Sequence, residues 1–208
     1  MKVIERALFE AGISPIAGVD EAGRGACAGP LLVASVMLKD PFALELTPIR
    51  DSKELSESKR EELFDLIQEH ALAISVIEIP SEEVDARGVH AANLDGMRRA
   101  VQALEISPRY VLTDGYEIPG LGVPALAVWK GDQVVLSISA ASIIAKVSRD
   151  RIMRNLDGRY PGYGFSRHKG YITAAHTRAL RELGPCDEHR RSFSNIAELA
   201  NIGKLSTN

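Results

Sequence analysis

Acidic residues recur at the ends of apolar runs in this 208-residue chain. Asp20 and Glu21 close the run IAGVD, Asp114 closes YVLTDG, and Asp132 follows ALAVWKGD across a Lys-Gly turn. A carboxylate at the end of an apolar strand is costly unless it faces water or a cation. Strand ends on one side of a sheet are where α/β folds build sites, so these acids are candidates for convergence. Carboxylates without His or Cys partners select hard cations, Mg²⁺ or Mn²⁺ before Zn²⁺. A pair of such ions can activate a water, clamp a phosphodiester and stabilise a leaving oxygen. Taken singly, a strand-end aspartate is more often a turn cap. Neighbours on a regular strand point to opposite faces, so Asp20 and Glu21 serve one site only if the strand ends or kinks at Glu21, which Gly23 and Gly25 would permit.

The glycines of GVDEAGRGACAG do not make a dinucleotide-binding loop, because a strand follows them where that loop needs a helix N-terminus. They read instead as a tight turn or as a place where something bulky approaches the backbone. Basic candidates lie further along. Lys53, in DSKEL, is placed to put a charge on a phosphate, against the commoner reading of a surface lysine before a helix. Lys146 and Arg149 lie three apart on AASIIAKVSRDRIM and so share a helix face, as a row tracking a phosphate backbone would. His168, Lys169, Gly170 and Tyr171 combine a basic pair, a permissive backbone and a ring, which suits a sugar-phosphate groove; a lone tyrosine is otherwise a core residue with its hydroxyl at the surface. His189, Arg190 and Arg191 form the last basic cluster, or else a solubilising tail. Ser139 and Ser142 lack a GxSxG elbow and read as packing or caps rather than nucleophiles.

The charge distribution agrees with a nucleic-acid partner. Residues 1–138 hold 13 Lys+Arg against 22 Asp+Glu, net −9, while residues 139–208 hold 12 against 6, net +6. The C-terminal third is therefore a candidate phosphate-binding surface, or simply a solvated helical face. A hydrophobic content of 45% is ordinary for a globular protein, and the length suffices for a full core. Glu5, Arg6 and Glu10 interrupt the first apolar pattern, so no secretory signal is expected there. No run approaches the ~18 apolar residues of a membrane span. Two cysteines, Cys27 and Cys186, without a CxxC, predict a reducing compartment and a cytoplasmic location.

The elements that must position these groups follow from the pattern. Strands are predicted at 16–20 and 31–38, joined as a glycine-rich hairpin, then at 71–80, 110–113 and 125–129. A helix is predicted near 57–69, with Ser56 and Ser58 as N-cap candidates and Ser58 spaced from Glu61 as a capping box. A second is expected over 91–104. From about residue 133 the chain reads as helical, broken by PGYG at 161–164 and by Gly184-Pro185. Hairpin and helical crossovers together predict a mixed sheet.

The chain also resembles the ribonuclease HII family. The matching segments are GVDEAGRG at 18–25, DSKEL at 51–55, TDG at 113–115, KGD at 130–132, SISAASIIAKVSRD at 137–150, YPGYGFSRHKGY at 160–171 and HRRSF at 189–193. They fall in order over nearly the whole chain, and the set is far more specific than any one of its motifs. The resemblance implies an α/β fold of ribonuclease H type, a mixed central sheet flanked by helices. It implies a catalytic domain over residues 1–184 and a helical C-terminal extension over 185–208 packed on it. Asp20, Glu21, Asp114 and Asp132 would be the catalytic acids holding divalent metal, Mn²⁺ or Mg²⁺. Gly23, Arg24 and Gly25 would touch the strand at the ribonucleotide, where the 2′-OH distinguishes RNA from DNA. Lys53, Lys146, Arg149, His168, Lys169, Tyr171 and Arg190 would contact substrate. The implied reaction is two-metal-ion phosphodiester hydrolysis, giving 5′-phosphate and 3′-hydroxyl ends, on the RNA strand of RNA-DNA hybrids and at single ribonucleotides embedded in duplex DNA. The expected protein is a monomer without a membrane partner. Two rivals share part of the pattern: a DNA-only nuclease or strand-transferase on the same acidic fold, which needs no 2′-OH reader, and a noncatalytic hybrid-binding protein, which needs no acids.

Overall fold

The structure, a computed structural model, describes residues 3–49 and 51–198. In chain order the elements are α1 (Val3–Glu10), β1 (Ile16–Ala22), β2 (Leu31–Leu38), α2 (Glu57–His70), β3 (Ala71–Ile79), α3 (Ser81–Arg87), α4 (Val89–Gln102), β4 (Tyr110–Asp114), β5 (Ala125–Val128), α5 (Gly131–Val134), α6 (Leu136–Arg159), α7 (Phe165–His168) and α8 (Ala174–Leu183). The strands form one five-stranded sheet in the order β3-β2-β1-β4-β5. β1 pairs antiparallel with β2, whereas β1 with β4 and β4 with β5 are parallel, so the predicted mixed sheet is present. Residues 194–198 are helical, and the expected extension beyond 198 lies outside the described residues. No helix among the described residues is long and apolar enough to cross a membrane.

The chain divides into two compact units. Among the described residues, the first lies within residues 1–22, 32–77 and 93–147, and the second within residues 23–31, 78–92 and 148–208. In the first, one core gathers alternate β2 residues (Ala34, Val36, Leu38), Leu63, Phe64 and Ile67 of α2, and the first half of α6. That half of α6 is apolar nearly all round, as a helix buried on every side must be; Ile138, Ala140, Ala141, Ile143 and Ile144 are all buried. A smaller core joins Ile16, Leu112 and Val128 to Val135 and Ile138, with Ile4 and Leu8 of α1 against it.

Two local features fix α6 on the sheet. Gly18 is required because a Cβ there would lie 2.1 Å from the Ser137 carbonyl carbon, so only hydrogen lets the helix come so close. Glu5, itself buried, accepts from the Leu136 and Ser137 amides, both at 2.9 Å, capping α6 with a carboxylate from α1. An anion on the free N–H groups of a first turn satisfies them and complements the helix dipole. At α2 the cap is Ser56, whose Oγ accepts from the Lys59 amide at 3.2 Å; Ser58 lies within the helix, so the Ser58–Glu61 capping box is not formed. The second unit has its own core, built from Cys27, Ala28, Met153, Leu156, Tyr163 and Phe165 with Leu180 and Ile196.

Candidate functional site

The parallel register brings the acids together. Val19 pairs with Thr113, so the next residue on each strand, Asp20 near the carboxyl end of β1 and Asp114 at that of β4, stand side by side. Asp114 pairs in turn with Val128 at the end of β5. Lys130 then takes a left-handed conformation (φ 51°) and turns the chain into α5, where the Gly131 amide donates to Asp114 Oδ1 at 2.7 Å. Asp132, one residue on, completes a cluster in which one carboxylate oxygen each from Asp20, Asp114 and Asp132 lie within 4.8 Å of one another. Asp20 and Asp132 are buried, and Asp114 is half-buried.

Glu21 is arranged differently. β1 does not end at Glu21: Glu21 pairs with Val33 and Ala22 with Leu32, so the strand runs through it. Among the described residues the oxygen cluster contains the three aspartates and not Glu21. Its charge still acts on the site. Burial, then Glu21, then Asp114 raise the Asp20 carboxyl well above the usual carboxylate range. Burial and Asp132 raise Asp114, partly offset by the Gly131 amide. An anionic, all-oxygen, partly desolvated cluster fits a hard divalent cation, which would relieve the repulsion that the bare carboxylates suffer.

Around the acids sit groups that orient them. Lys53 Nζ donates to Asp132 Oδ2 at 2.9 Å, which raises the Lys53 ammonium above its ordinary value, yet 76% of its side chain is exposed. Asp51 caps the short turn that carries Lys53 by accepting from its amide at 2.9 Å. Ser139 Oγ donates to the Asp132 carbonyl at 2.6 Å, and Ser142 Oγ lies 3.0 Å from Ser52 Oγ. Both serines act as hydrogen-bonding struts, in keeping with their reading as packing residues. Lys146 is half-buried on α6.

In the second unit the structure corrects the expected row of basic contacts. Arg149 is fully buried, and its guanidinium donates to the carbonyls of Pro30 (2.9 Å), Lys169 (2.8 Å) and Ala28 (3.0 Å). Arg190 is likewise fully buried, donating to the Gly29 carbonyl (3.2 and 3.0 Å) and to that of Arg24 (3.0 Å). Neither side chain lies on a surface that tracks phosphates. Both hold the backbone of the loop that begins GRG, because a planar fork of donors can serve several carbonyls at once. Burial lowers the basicity of both, Arg190 to about 10 with Arg149 contributing. Lys169 is also buried, with Nζ on the Ser166 carbonyl at 2.7 Å, so it too is spent on the fold.

Gly23 (φ +84°) is a required glycine, since a Cβ there would lie 1.9 Å from Arg149 Nε, whereas Gly25 is exposed and faces open space. Arg24 between them is half-buried. His168 is half-buried and bridges its own loop, with Nε2 on the Tyr163 carbonyl at 2.8 Å. Tyr171 is 39% exposed, and the Arg149 guanidinium stands 5.6 Å from its ring centre. Of the expected substrate contacts in this unit, the GRG backbone at Gly25 and the Tyr171 ring remain open to a ligand.

Comparison with known proteins agrees with this architecture. The family model described as Ribonuclease HII matches residues 17–196. A Ribonuclease HII of Mycobacterium ulcerans (strain Agy99) is 56% identical over 200 residues, which cover 96% of this chain and 84% of that protein. The ribonuclease H2 structure from Pyrococcus horikoshii OT3 superposes with a TM-score of 0.79 at 26% identity, covering 93% of this chain and 99% of that one. Bst-RNase HIII, solved in complex with Mn²⁺, shares the fold at a TM-score of 0.63 and 19% identity, over 91% of this chain and 70% of that one. A ribonuclease H-like sheet with three aspartates converging at its parallel strand ends and a family match over nearly its whole length show that this chain belongs to the ribonuclease HII family of endonucleases, which act on RNA-DNA hybrids.

Proposed function

We propose that this chain cuts the RNA strand of hybrids and also single ribonucleotides embedded in duplex DNA, by two-metal-ion hydrolysis that leaves 5′-phosphate and 3′-hydroxyl ends. The observation that carries the reading is the convergence of Asp20, Asp114 and Asp132 within 4.8 Å. These three would hold divalent cations, with Glu21 as a fourth acid beside Asp20, and the all-oxygen set suits Mg²⁺ or Mn²⁺. When bound, such ions supply Lewis acidity that lowers the pKa of water and neutralises charge on the leaving oxygen. The protein's own groups prepare that chemistry. The Gly131 amide and Lys53 ammonium fix the rotamers of Asp114 and Asp132, and the exposed part of Lys53 remains within reach of a phosphate.

Sugar recognition is assigned to the second unit. The Gly23–Arg24–Gly25 backbone would sense the 2′-OH, and Gly25, with nothing within 4 Å of its Cβ position, supports close approach of a strand. The Tyr171 ring would pack on the next sugar and favour deoxyribose, because an added hydroxyl would crowd it. The expected protein works as a cytoplasmic monomer.

The test is a cleavage assay on three end-labelled duplexes, all-DNA, RNA-DNA hybrid and DNA with one ribonucleotide, each titrated with Mg²⁺ and Mn²⁺. Cutting of the two ribonucleotide-containing duplexes, dependent on metal, is expected. Comparable cutting of all-DNA would overturn the sugar-reading assignment, and metal-independent turnover would overturn the two-metal one.

A further inference from the structure

The segment 168–171 adopts two successive left-handed residues, Lys169 (φ 51°) and Gly170 (φ 79°), a conformation that a non-glycine residue holds only when its surroundings impose it. Bonds on several sides impose it here. The Lys169 carbonyl accepts from Arg149, and the Gly170 carbonyl accepts from the Cys27 amide at 3.0 Å. The Tyr171 carbonyl, the last group before the chain turns away, is met by His176 Nδ1 at 3.0 Å.

Behind His176 the bonding continues. His176 Nε2 lies 3.0 Å from His189 Nε2, and His189 Nδ1 receives the Cys186 amide at 3.0 Å. The Cys186 carbonyl and Sγ also lie 3.3 and 3.2 Å from His189 Nδ1, farther than the amide, and with both rings neutral the shortest partners give one consistent set of protons. A carbonyl only accepts, so His176 carries its hydrogen on Nδ1; its Nε2 then accepts, so His189 carries its hydrogen on Nε2; its Nδ1 then accepts from an amide that only donates. Both rings are neutral in this arrangement, and burial holds them so: His176 and His189 are 0% and 1% exposed and are each pushed down to about 4. His168 stacks on His176 with ring centres 4.2 Å apart, while its own Nδ1 receives the Gly170 amide at 3.2 Å.

We propose that His176 and His189 are positioning residues: a relay of two neutral imidazoles, anchored on the Cys186 amide, that fixes the Tyr171 carbonyl and thereby the ring that reads the sugar. The inference rests on the reading of Tyr171 given above. The relay touches no substrate. It sets where the tyrosine backbone sits, and misplacement of a positioning group by about 1 Å can lower turnover by as much as 10²-fold.

The test uses the full chain with Mn²⁺ and DNA carrying one ribonucleotide, measuring single-turnover rate and substrate Kd. The proteins are wild type, Tyr171→Ala, His176→Phe, His176→Asn and the double variant Tyr171→Ala/His176→Phe. Phenylalanine keeps the stacking volume without the donor; asparagine restores an N–H close to the Nδ1 position. We expect His176→Phe to slow cleavage about 10- to 100-fold with Kd within about twofold of wild type. His176→Asn should recover most of the rate, and the double variant should be no slower than Tyr171→Ala. Wild-type turnover in Tyr171→Ala would refute the reading of the tyrosine itself. An impaired Tyr171→Ala alongside a fully active His176→Phe, an unrescued His176→Asn, or additive losses in the double variant would refute the relay alone. If His176→Phe fails to fold, the same comparison is made at the far end of the relay with His189→Gln, which keeps a donor near Nε2, against His189→Leu; equal rates in that pair overturn the proposal.

Discussion

Replacing Arg149 with methionine separates a structural guanidinium from a phosphate contact. Methionine keeps an unbranched side chain of similar reach and deletes every donor. The carbonyls of Pro30, Lys169 and Ala28 then lose a partner now held at 2.9, 2.8 and 3.0 Å. A buried acceptor left without its donor costs about 1–3 kcal/mol. Removing the guanidinium also removes its own desolvation penalty, which offsets part of that loss. Taking the lower end for each of the three carbonyls gives a net destabilisation of about 3 kcal/mol. With a urea m-value of about 2 kcal/mol/M, the midpoint should fall by about 1.5 M. A thermal melt should fall by roughly 6–12 °C. The assay is a urea titration followed by circular dichroism, paired with the salt dependence of hybrid binding for the same protein. A phosphate contact would behave in the opposite way, leaving the midpoint unchanged and reducing the log-log salt slope by about 0.7–0.9. That pair of results would refute the structural role argued for Arg149.

Three further outcomes are expected. Asp20→Asn or Asp114→Asn should lower cleavage at least ~10²-fold while hybrid binding persists, measured by single-turnover cleavage and filter binding; full activity in either would remove it from the metal-holding set. Mn²⁺ should raise the melting temperature of wild type but not of the double variant Asp20→Asn/Asp114→Asn, and metal-free Asp20→Asn should melt no lower than metal-free wild type because a buried, repelled charge is gone; an equal metal-induced rise in the double variant would contradict the site. His176 and His189, pushed down to about 4 mainly by burial, with His168 adding to the shift of both and His176 and Arg191 adding to that of His189, contribute stability that is complete above the ordinary value of 6.5 and is lost as pH falls from there toward 4. Melts at pH 7 and pH 5 should therefore differ more in wild type than in His176→Phe, and identical pH dependence in the two would show that the rings do not carry it.

The acids were legible because short apolar runs mark where strands lie, and a parallel register then brings Asp20 beside Asp114. Asp20, Asp114 and Asp132 meet as their places at three strand ends suggest. Glu21 was harder. Sequence gives no measure of how far a strand runs past its last apolar residue, and β1 continues in pairing through Ala22, so Glu21 lies within the strand rather than at its end. Arg149, Lys169 and Arg190 were expected on substrate and are buried instead, because a basic residue has the same letter whether it meets phosphates or carbonyls. A signal was present in the spacing, since Ala145 and Met153, four residues either side of Arg149, are both buried and mark its face as internal. Glu5 was seen only as a charge that interrupts an apolar pattern. Its partner lies 131 residues away, and no local rule reaches that far. The histidine relay was equally invisible, for it depends on ring nitrogens whose partners come from separate loops.

The carboxylate of Glu5 makes the first helix a remote clasp on the chemistry. It ends on the amides that begin α6, and the same helix carries Ser142, whose hydroxyl bonds to the Asp20 carboxylate and steadies it. A change made near the start of the chain, such as a bulky fusion that pulls α1 away or a Glu5→Leu substitution, would leave two inward-facing amides with no acceptor. The damage would be felt first where α6 meets the sheet rather than where the change was made. Such a variant would pass for an active-site mutant in an activity screen while every residue of the acid cluster remained in place.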